Sequence, residues 1–498
     1  MKKNYLICLI AGLLTGFGFV PYSYIPLLFL TYSLFFFFFA KAEKKRQLFF
    51  YGFCFGFGIG ASSMCWLVHA LLIDNGAFGW LVPVVPLGFG LMFGIFWGLP
   101  ALLCWKTSSD FARMLVFAGW ITVFEWIRSW IFTGFPWNLT GSVWVAWLPI
   151  LQSVSVIGVY GLSLFSIVWF AIPYLIYKKQ YMLASVDFLT FAVFGLFGFL
   201  RLYEMNPDYV WAVNLRLVQP NIEQTLKWDP NEAEENFRKH IRLSKSKGKE
   251  KITHVLWSET ASPYPLDTDE QARAMTISAV KQDGTLITGS LRIADKGKKQ
   301  LANSIFVIDD MGEIVSFYDK SHLVPFGEYV PLRGILPFEK IVPIASDIKE
   351  GDGVKTLAIP HAPPAGMLVC YEVIFPHQVV DTRQPVRPQW LINLTNDGWY
   401  GVSAGPYQHL AAAQMRAVEE GLPLVRVAGS GISAIIYPWG EIMSSLPLHT
   451  EGVLDGPLPK ALDNTPIYAR MGNKIPLILS FMFIVFGLFW DKKRKKTN

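Results

Sequence analysis

What most constrains this 498-residue chain is where its apolar residues fall. Residues 1–203 are a train of apolar segments, near Tyr5–Val20, Tyr24–Ala40, Leu48–Ile73, Trp80–Cys104, Met114–Phe132, Ile150–Tyr177 and Met182–Leu202. A helix needs roughly 20 apolar residues to cross a bilayer core of about 30 Å; each segment comes near that length, and the first two are short. From Trp211 to Pro459 charges recur and short β-rich runs alternate with polar turns. Ile475–Trp490 is a last apolar run, and Asp491-Lys-Lys-Arg-Lys-Lys-Thr-Asn498 follows it. The expected plan is a seven-span transmembrane domain (1–203), a soluble domain (211–459), an eighth span (475–490) and a basic tail (491–498).

Composition agrees with that plan. Charged residues are 16% of the chain, against about 25% in ordinary soluble proteins. Apolar residues reach 52%, and the mean hydropathy is +0.35, which excludes disorder and a purely cytosolic globule. The net charge of +6 is not spread as a nucleic-acid-binding face. Much of it sits beside the apolar runs: Lys2 and Lys3; Lys41, Lys44, Lys45 and Arg46; Lys106 and Arg113; Lys178 and Lys179; and Lys492 to Lys496. With eight spans these loops share one side, while the loops near Tyr22, Asp74 and Trp137–Trp147 carry no Lys or Arg. The positive-inside rule then predicts cytoplasmic termini and a soluble domain on the far side. Lys2-Lys3 before an apolar run has the look of a signal peptide, but a second run follows at once without a small-x-small site, so a retained first span is expected. Five cysteines without a CxxC pair make a disulfide scaffold and a metal site unexpected, and no cofactor is expected.

Within 211–459 strand patterns recur at Leu215–Gln219, His254–Glu259, Thr285–Leu291, Ser304–Ile308, Val315–Tyr318, Gly366–Tyr371, Trp390–Leu394 and Leu424–Ala428. Helical patterns fall at Asn231–Lys245, Glu270–Lys281 and Tyr407–Glu420. Near-continuous apolar strands alternating with helices predict an α/β domain whose strands are covered on both faces. Ligands collect at the carboxyl ends of such strands. Three polar residues stand there: Glu259, Lys320 and Cys370. Cys370 is the one cysteine of this domain. A thiol attacks as thiolate, with an ordinary pKa near 8.5, so it needs a base or a cation beside it. Glu259 and Lys320 have the right chemistry, although linear sequence does not bring them together. An inert buried cysteine and a Cys-His dyad, with His322 as the nearest histidine to the lysine motif, stay open at this point.

These residues resemble the nitrilase, or carbon–nitrogen hydrolase, superfamily. The likeness to the apolipoprotein N-acyltransferases within it extends over essentially the whole chain. Its motifs are Val218-Gln-Pro-Asn-Ile222 with Lys227-Trp228, Trp257-Ser-Glu-Thr-Ala261, Tyr318-Asp-Lys-Ser-His-Leu-Val-Pro-Phe-Gly-Glu-Tyr-Val-Pro331, Cys370-Tyr-Glu372, Asn396-Asp-Gly-Trp399 and Gly134-Phe-Pro-Trp-Asn138. The resemblance implies eight spans plus an α-β-β-α sandwich in a bacterial inner membrane. It implies transfer of an acyl chain from a phospholipid, through a Cys370 thioester, to the α-amino group of a diacylglyceryl-cysteine lipoprotein. Glu259 would be general base and acid, Lys320 oxyanion stabiliser and Glu328 a supporting carboxylate, with Trp228, Tyr371 and Glu372 at further functional positions. The chain departs from the family pattern at Ser258, where the family often shows Pro, and at Gly429-Ser430-Gly431, where it often shows Asn-Asn-Gly.

No metal is implied, and a monomer is expected. Two further expectations concern access and the membrane. Leu332–Ile348 is apolar for a surface loop and could serve as a lid. Glu125 and Arg128, three apart on one helix face, are expected to pair with each other. A membrane-tethered amidase using water as acceptor and a transporter or sensor with an outer binding domain are the competing readings.

Overall fold

A computed structural model describes residues 2–73, 79–295, 300–331 and 348–497. Most of the lid segment Leu332–Ile348 lies outside them. The chain divides into two units: Met1–Val68, Phe78–Met205 and Pro466–Asn498 in one, and His69–Ala77 and Asn206–Thr465 in the other.

The first unit is helical. Among the described residues four helices are long and apolar enough to cross a membrane: Gly79–Lys106, Val154–Tyr177, Tyr181–Tyr203 and Lys474–Arg494. The pair Lys45–Ser63 and Cys65–Leu72, bent by 45°, makes a fifth if it is counted as one span. Eight spans are therefore not what length and composition alone give. Lys2–Thr15 and Ile25–Phe39 have 14 and 15 residues. At 1.5 Å per residue they reach only about 20–23 Å. Asp110–Arg128 carries Asp110, Arg113, Glu125 and Arg128, which lowers its hydropathy.

Packing in this unit relies on small residues where backbones meet. Gly52, Gly56 and Gly60 recur every fourth position along Lys45–Ser63, and a Cβ on any of them would strike the helix Val84–Leu103 at Trp97, Phe93 or Phe89. Glu125 and Arg128 do not have each other as their main partners. The Glu125 carboxylate accepts from the Thr140 amide and hydroxyl at 2.9 and 2.7 Å. Arg128 donates to the Phe135 and Trp137 carbonyls at 3.0 and 2.8 Å and lies over the Phe93 ring. The helix end uses its charges to hold the loop that follows it, whose carbonyls and amides need partners.

The second unit is built on two six-stranded sheets. The first has the order β12-β1-β2-β3-β4-β5, with β1 Tyr209–Gln219, β2 His254–Trp257, β3 Thr285–Asp295, β4 Gln300–Ile308, β5 Ile314–Asp319 and β12 Gly452–Pro459. The second has the order β11-β10-β9-β8-β7-β6, with β6 Thr356–Ile359, β7 Ala362–Val369, β8 Trp390–Thr395, β9 Leu424–Ala428, β10 Ser433–Ile436 and β11 Ile442–Leu446. The central pairs β1–β2, β2–β3, β7–β8 and β8–β9 are parallel.

Period-two alternation explains the layering. Leu215, Leu217, Leu256, Ile305 and Val307 join Met367, Val369, Ile392, Leu394 and Val425 in one core between the sheets. Their neighbours Val218, Val255, Trp257, Phe306 and Ile308 turn the other way and pack with Phe237 and Ala272 of the helices Ala233–Ser244 and Glu270–Thr276. Strands buried on both faces read as the continuous apolar runs seen in the sequence. The third helix, Gly405–Glu420, adds buried Leu410, Ala413, Ala417 and Val418 beside β9.

Candidate active site

The three strand-end residues gather just past their strands. Lys320 directly follows β5. Its amide donates to the Asn303 carbonyl at 2.8 Å, so it stays in register with β4. The preceding Asp319 is pinned by Arg292 at 3.0 and 2.6 Å and by the Ser304 hydroxyl at 2.6 Å. Glu259 lies two residues beyond β2, and Cys370 opens the 3-10 turn Cys370–Ile374 that follows β7. The strands expected at His254–Glu259 and Gly366–Tyr371 thus each end two residues earlier than the sequence pattern, at Trp257 and Val369, because the chain turns away to present the polar residue. Cys370 has φ +52°, and Thr260, next to Glu259, has φ +45°. Non-glycine residues in the left-handed region carry strain that surrounding contacts must hold.

Lys320 is 1% exposed. Its Nζ lies 2.9 Å from Glu328 Oε2 and 3.7 Å from Glu259 Oε1. Asn303 joins the carboxylates, with Nδ2 donating to Glu259 Oε1 at 2.8 Å and to Glu328 Oε1 at 3.0 Å. Burial alone would lower the Lys320 pKa, but Glu328 and Glu259 outweigh it and hold the ammonium above its ordinary value. Lys320 is therefore a permanent cation and no proton acceptor. Cys370 is the opposite case. Burial, reinforced by the Glu259 charge, pushes its thiol up to about 12, against the pull of Lys320. A thiol held that high is protonated at neutral pH and needs a base to react.

Glu372 serves as a clamp. Its Oε1 accepts from the Tyr318 hydroxyl, the Ser321 amide and hydroxyl and the His322 amide at 2.7–3.0 Å, and its Oε2 accepts from the Val369 amide at 2.6 Å. It ties the Lys320 turn to the Cys370 turn. Tyr371 is buried, with its ring edge-on to Phe375, and the His322 ring rests on the same Phe375 at 3.9 Å. Trp228 lines a small cavity of about 20 Å³ with Lys227, His240, Ser258, Thr260, Asn396 and Gly429. Two departures from the family pattern fall here, Ser258 and Gly429, both in the wall; at Gly431, where chain and pattern agree, a Cβ would collide with Asp397.

Several residues that sequence reasoning missed hold this arrangement. Asn303 left one signal, a carboxamide inside an apolar strand. The Cys370 carbonyl accepts from His409 Nε2 at 3.1 Å and from Asn393 Nδ2 at 3.2 Å. His409 Nδ1 lies 2.9 Å from Asp397 Oδ1 and 3.0 Å from Arg426 Nη2, and Arg426 reaches Asp397 Oδ2 at 2.7 Å and also Asn393 Oδ1. Burial would raise Asp397, but Arg426 and His409 overcome it and hold its carboxyl at about 2.

Cys370, Glu259 and Lys320 are buried just past strand ends of a two-sheet α/β unit, and a carbon–nitrogen hydrolase family model matches residues 214–464 of that unit. A second model, for the N-terminal domain of apolipoprotein N-acyltransferases, matches residues 11–173. The chain is 36% identical to the apolipoprotein N-acyltransferase of Rhodopseudomonas palustris over 98% of its own length and 95% of that relative's. It is 35% identical to that of Rickettsia prowazekii, covering 97% and 98%, and 37% identical to that of Brucella melitensis biotype 1, covering 89% and 86%. The chain belongs to the apolipoprotein N-acyltransferase family. Among solved structures it is similar to an amidase from Nesterenkonia sp. AN1 (17% identity, 50% of this chain and 93% of that one, TM-score 0.35). It is also similar to Saccharomyces cerevisiae Nit3 (15%, 50% and 90%, TM-score 0.37). These likenesses are too loose to carry an argument.

Proposed function

We propose that this protein moves an acyl chain from a phospholipid, through a thioester on Cys370, to the α-amino group of a diacylglyceryl-cysteine lipoprotein. The observation that carries the chemistry is the pairing of a protonated thiol with a buried Glu–Lys–Glu group. The Cys370 thiol stands at about 12, and Glu259 has only Asn303 and Lys320 as carboxylate partners among the described residues, both on Oε1. Its Oε2 is left to take a proton.

In this reading Glu259 accepts the thiol proton and the sulfur attacks the ester carbonyl. Lys320 faces the oxyanion as a fixed positive charge. The carbon–oxygen bond breaks, Glu259 returns its proton to the departing lysophospholipid oxygen, and the acyl group remains on sulfur. The lipoprotein amine then adds to the thioester and gives a proton to Glu259; the carbon–sulfur bond breaks and the thiolate recovers that proton. This is a two-step exchange with one covalent intermediate, and it needs no metal or nucleotide. Glu328 and Asn303 hold Lys320 and Glu259, Glu372 ties the two turns, and Trp228 and Tyr371 belong to the substrate-facing surroundings.

The proposal includes the membrane plan: eight spans, cytoplasmic termini, and domains bounded as 1–203, 211–459, 475–490 and 491–498. The α/β domain would lie on the far side of the inner membrane of a bacterium, in a monomer. The names of the relatives and the basic loops support it. The carbon–nitrogen hydrolase match also favours a second reading, an amidase with water as acceptor.

The test is to incubate detergent-purified protein with a defined phospholipid and record its intact mass and peptide map. An acyl-sized, hydroxylamine-labile adduct on Cys370 is expected. Active, folded protein that forms no adduct would remove the acyl-donor assignment and make amide hydrolysis the next assay.

A further inference from the structure

The site holds a second buried cation that the triad does not use. Lys227 Nζ donates to the main-chain carbonyl of Glu259 at 2.8 Å. That carbonyl belongs to the peptide leading into Thr260, the residue at φ +45°. The bond therefore fixes the peptide that turns the chain and aims Glu259. Among the described residues no carboxylate lies within ion-pair distance of Lys227, unlike Lys320. Its surroundings are the Trp228 ring at 5.9 Å and the small cavity, where Trp228 Nε1 and His240 Nε2 are buried and without hydrogen-bond partners among the described residues.

Counting charge gives this cation a task. Glu259 and Glu328 bring two negative charges and Lys320 one positive. Proton transfer from Cys370 to Glu259 moves a negative charge to sulfur, and attack moves it to the oxyanion. The buried Glu372 carboxylate, which bridges the two turns, adds to this, so the group keeps an excess of negative charge throughout unless a further cation is near. An uncompensated charge is costly in a buried site. We propose that Lys227 is a positioning residue that fixes the Glu259 turn and supplies a second positive charge that offsets the site's excess negative charge. This rests on the reading of Glu259 as base to Cys370.

The charged and titratable groups facing Lys227 are few. The Glu259 carboxylate and the Cys370 thiol favour its charged form, and His240, held at about 4 chiefly by burial, is neutral. Lys227 is partly exposed as a residue, yet burial of its ammonium end outweighs these attractions and lowers it to about 8. Its charge is thus lost as pH rises through that value, whereas an arginine there would stay charged.

The test reads Cys370 directly, as the rate of its alkylation by iodoacetamide in the full-length detergent-purified chain, followed by peptide mapping. At pH 7, Glu259→Gln should slow the reaction by about 100-fold or more. Lys227→Met should slow it by about tenfold, and Lys227→Arg should stay close to the wild-type rate. Between pH 7 and 9 the wild type should lose its Glu259-dependent rate while Lys227→Arg keeps it; a merely structural lysine would leave that profile unmoved. If Lys227→Met reacts like wild type while Glu259→Gln is slow, or if Lys227→Arg shows the wild-type alkaline loss, the inference falls alone. If Glu259→Gln reacts like wild type, the base assignment falls and takes the inference with it.

Discussion

Two buried charge clusters flank Cys370, and they differ in what they leave open. Lys320, Glu259, Glu328 and Asn303 form one; Asp397, His409, Arg426 and Asn393 form the other. In the second, Asp397, His409 and Arg426 have fully buried side chains, the cluster ends on the carbonyl of Cys370, and the atom left without a partner among the described residues is a donor, Arg426 Nε, rather than a proton acceptor. In the first, the carboxylates are 8% and 10% exposed and Glu259 keeps one oxygen without a partner among the described residues. The same charge types serve two purposes. A closed network fixes the strained backbone of Cys370, and an open one keeps an atom available for proton transfer. Removing any member of the open cluster should cost turnover, and stability too where it strands a buried charge, whereas removing a member of the closed one should cost stability with little loss of turnover.

The largest effect should come from the open cluster. Cys370→Ala should abolish adduct formation, and Glu259→Gln should lower turnover by about 10²–10⁴-fold. Both should unfold within a few degrees of the wild type, as followed by tryptophan fluorescence in detergent. Glu259→Gln melting as early as a closed-cluster variant would break the comparison. Lys320→Met comes next, with turnover down by about 10²–10³-fold. It also leaves Glu259 and Glu328 facing each other without their cation, at a cost of about 3–5 kcal/mol.

Asp397→Asn should show the reverse balance. Losing the charge that Arg426 and His409 share should cost about 3–5 kcal/mol in unfolding. Turnover of the protein that remains folded should stay within about tenfold of wild type, about 1.4 kcal/mol in barrier. A deeper loss of turnover would mean that the closed cluster takes part in the chemistry.

The open cluster was far more legible in the sequence than the closed one. Glu259, Lys320 and Cys370 each end an apolar run, where burial makes a polar residue conspicuous. Glu328, Trp228, Tyr371 and Glu372 came only with the family motifs. Asp397, His409 and Arg426 are scattered over a turn, a helix and a strand, and only the fold of the second sheet brings them within 3 Å of one another. Lys227 read as one motif residue among several because its partner is a main-chain oxygen, which leaves no trace in residue identity. Strands show the same division. The central ones were visible as continuous apolar runs, whereas β6, β11 and β12 escaped notice. All three are edge strands, partly exposed, and β12 contains two prolines, which an edge tolerates because one side of its ladder is unpaired. β10 has only four residues, Ser433–Ile436, too few for a pattern.

A further test of the closed cluster is pH dependence. Burial holds both His240 and His254 at about 4, well below the ordinary 6.5, and each is fixed by a carbonyl, of Asn236 and Pro360 respectively. A group whose folded pKa is depressed contributes stability above its unfolded pKa and loses it as pH falls through the folded value. The two histidines should therefore withdraw about 3 kcal/mol each between pH 6.5 and 4. His409 is also depressed, by burial and then by Arg426, so it draws stability away in the same direction. Asp397, held at about 2, adds its loss only below about pH 4. Urea midpoints of detergent-solubilised protein at pH 7.5 and 4.5 should thus fall steeply in the wild type. They should fall less in the double variant His240→Gln, His254→Gln. Glu420, raised by burial to about 7, gains stability as pH falls over the same window, so the slope that remains is the loss at His409 set against that gain. An unchanged slope in the double variant would mean that the outer histidines are not buried neutral.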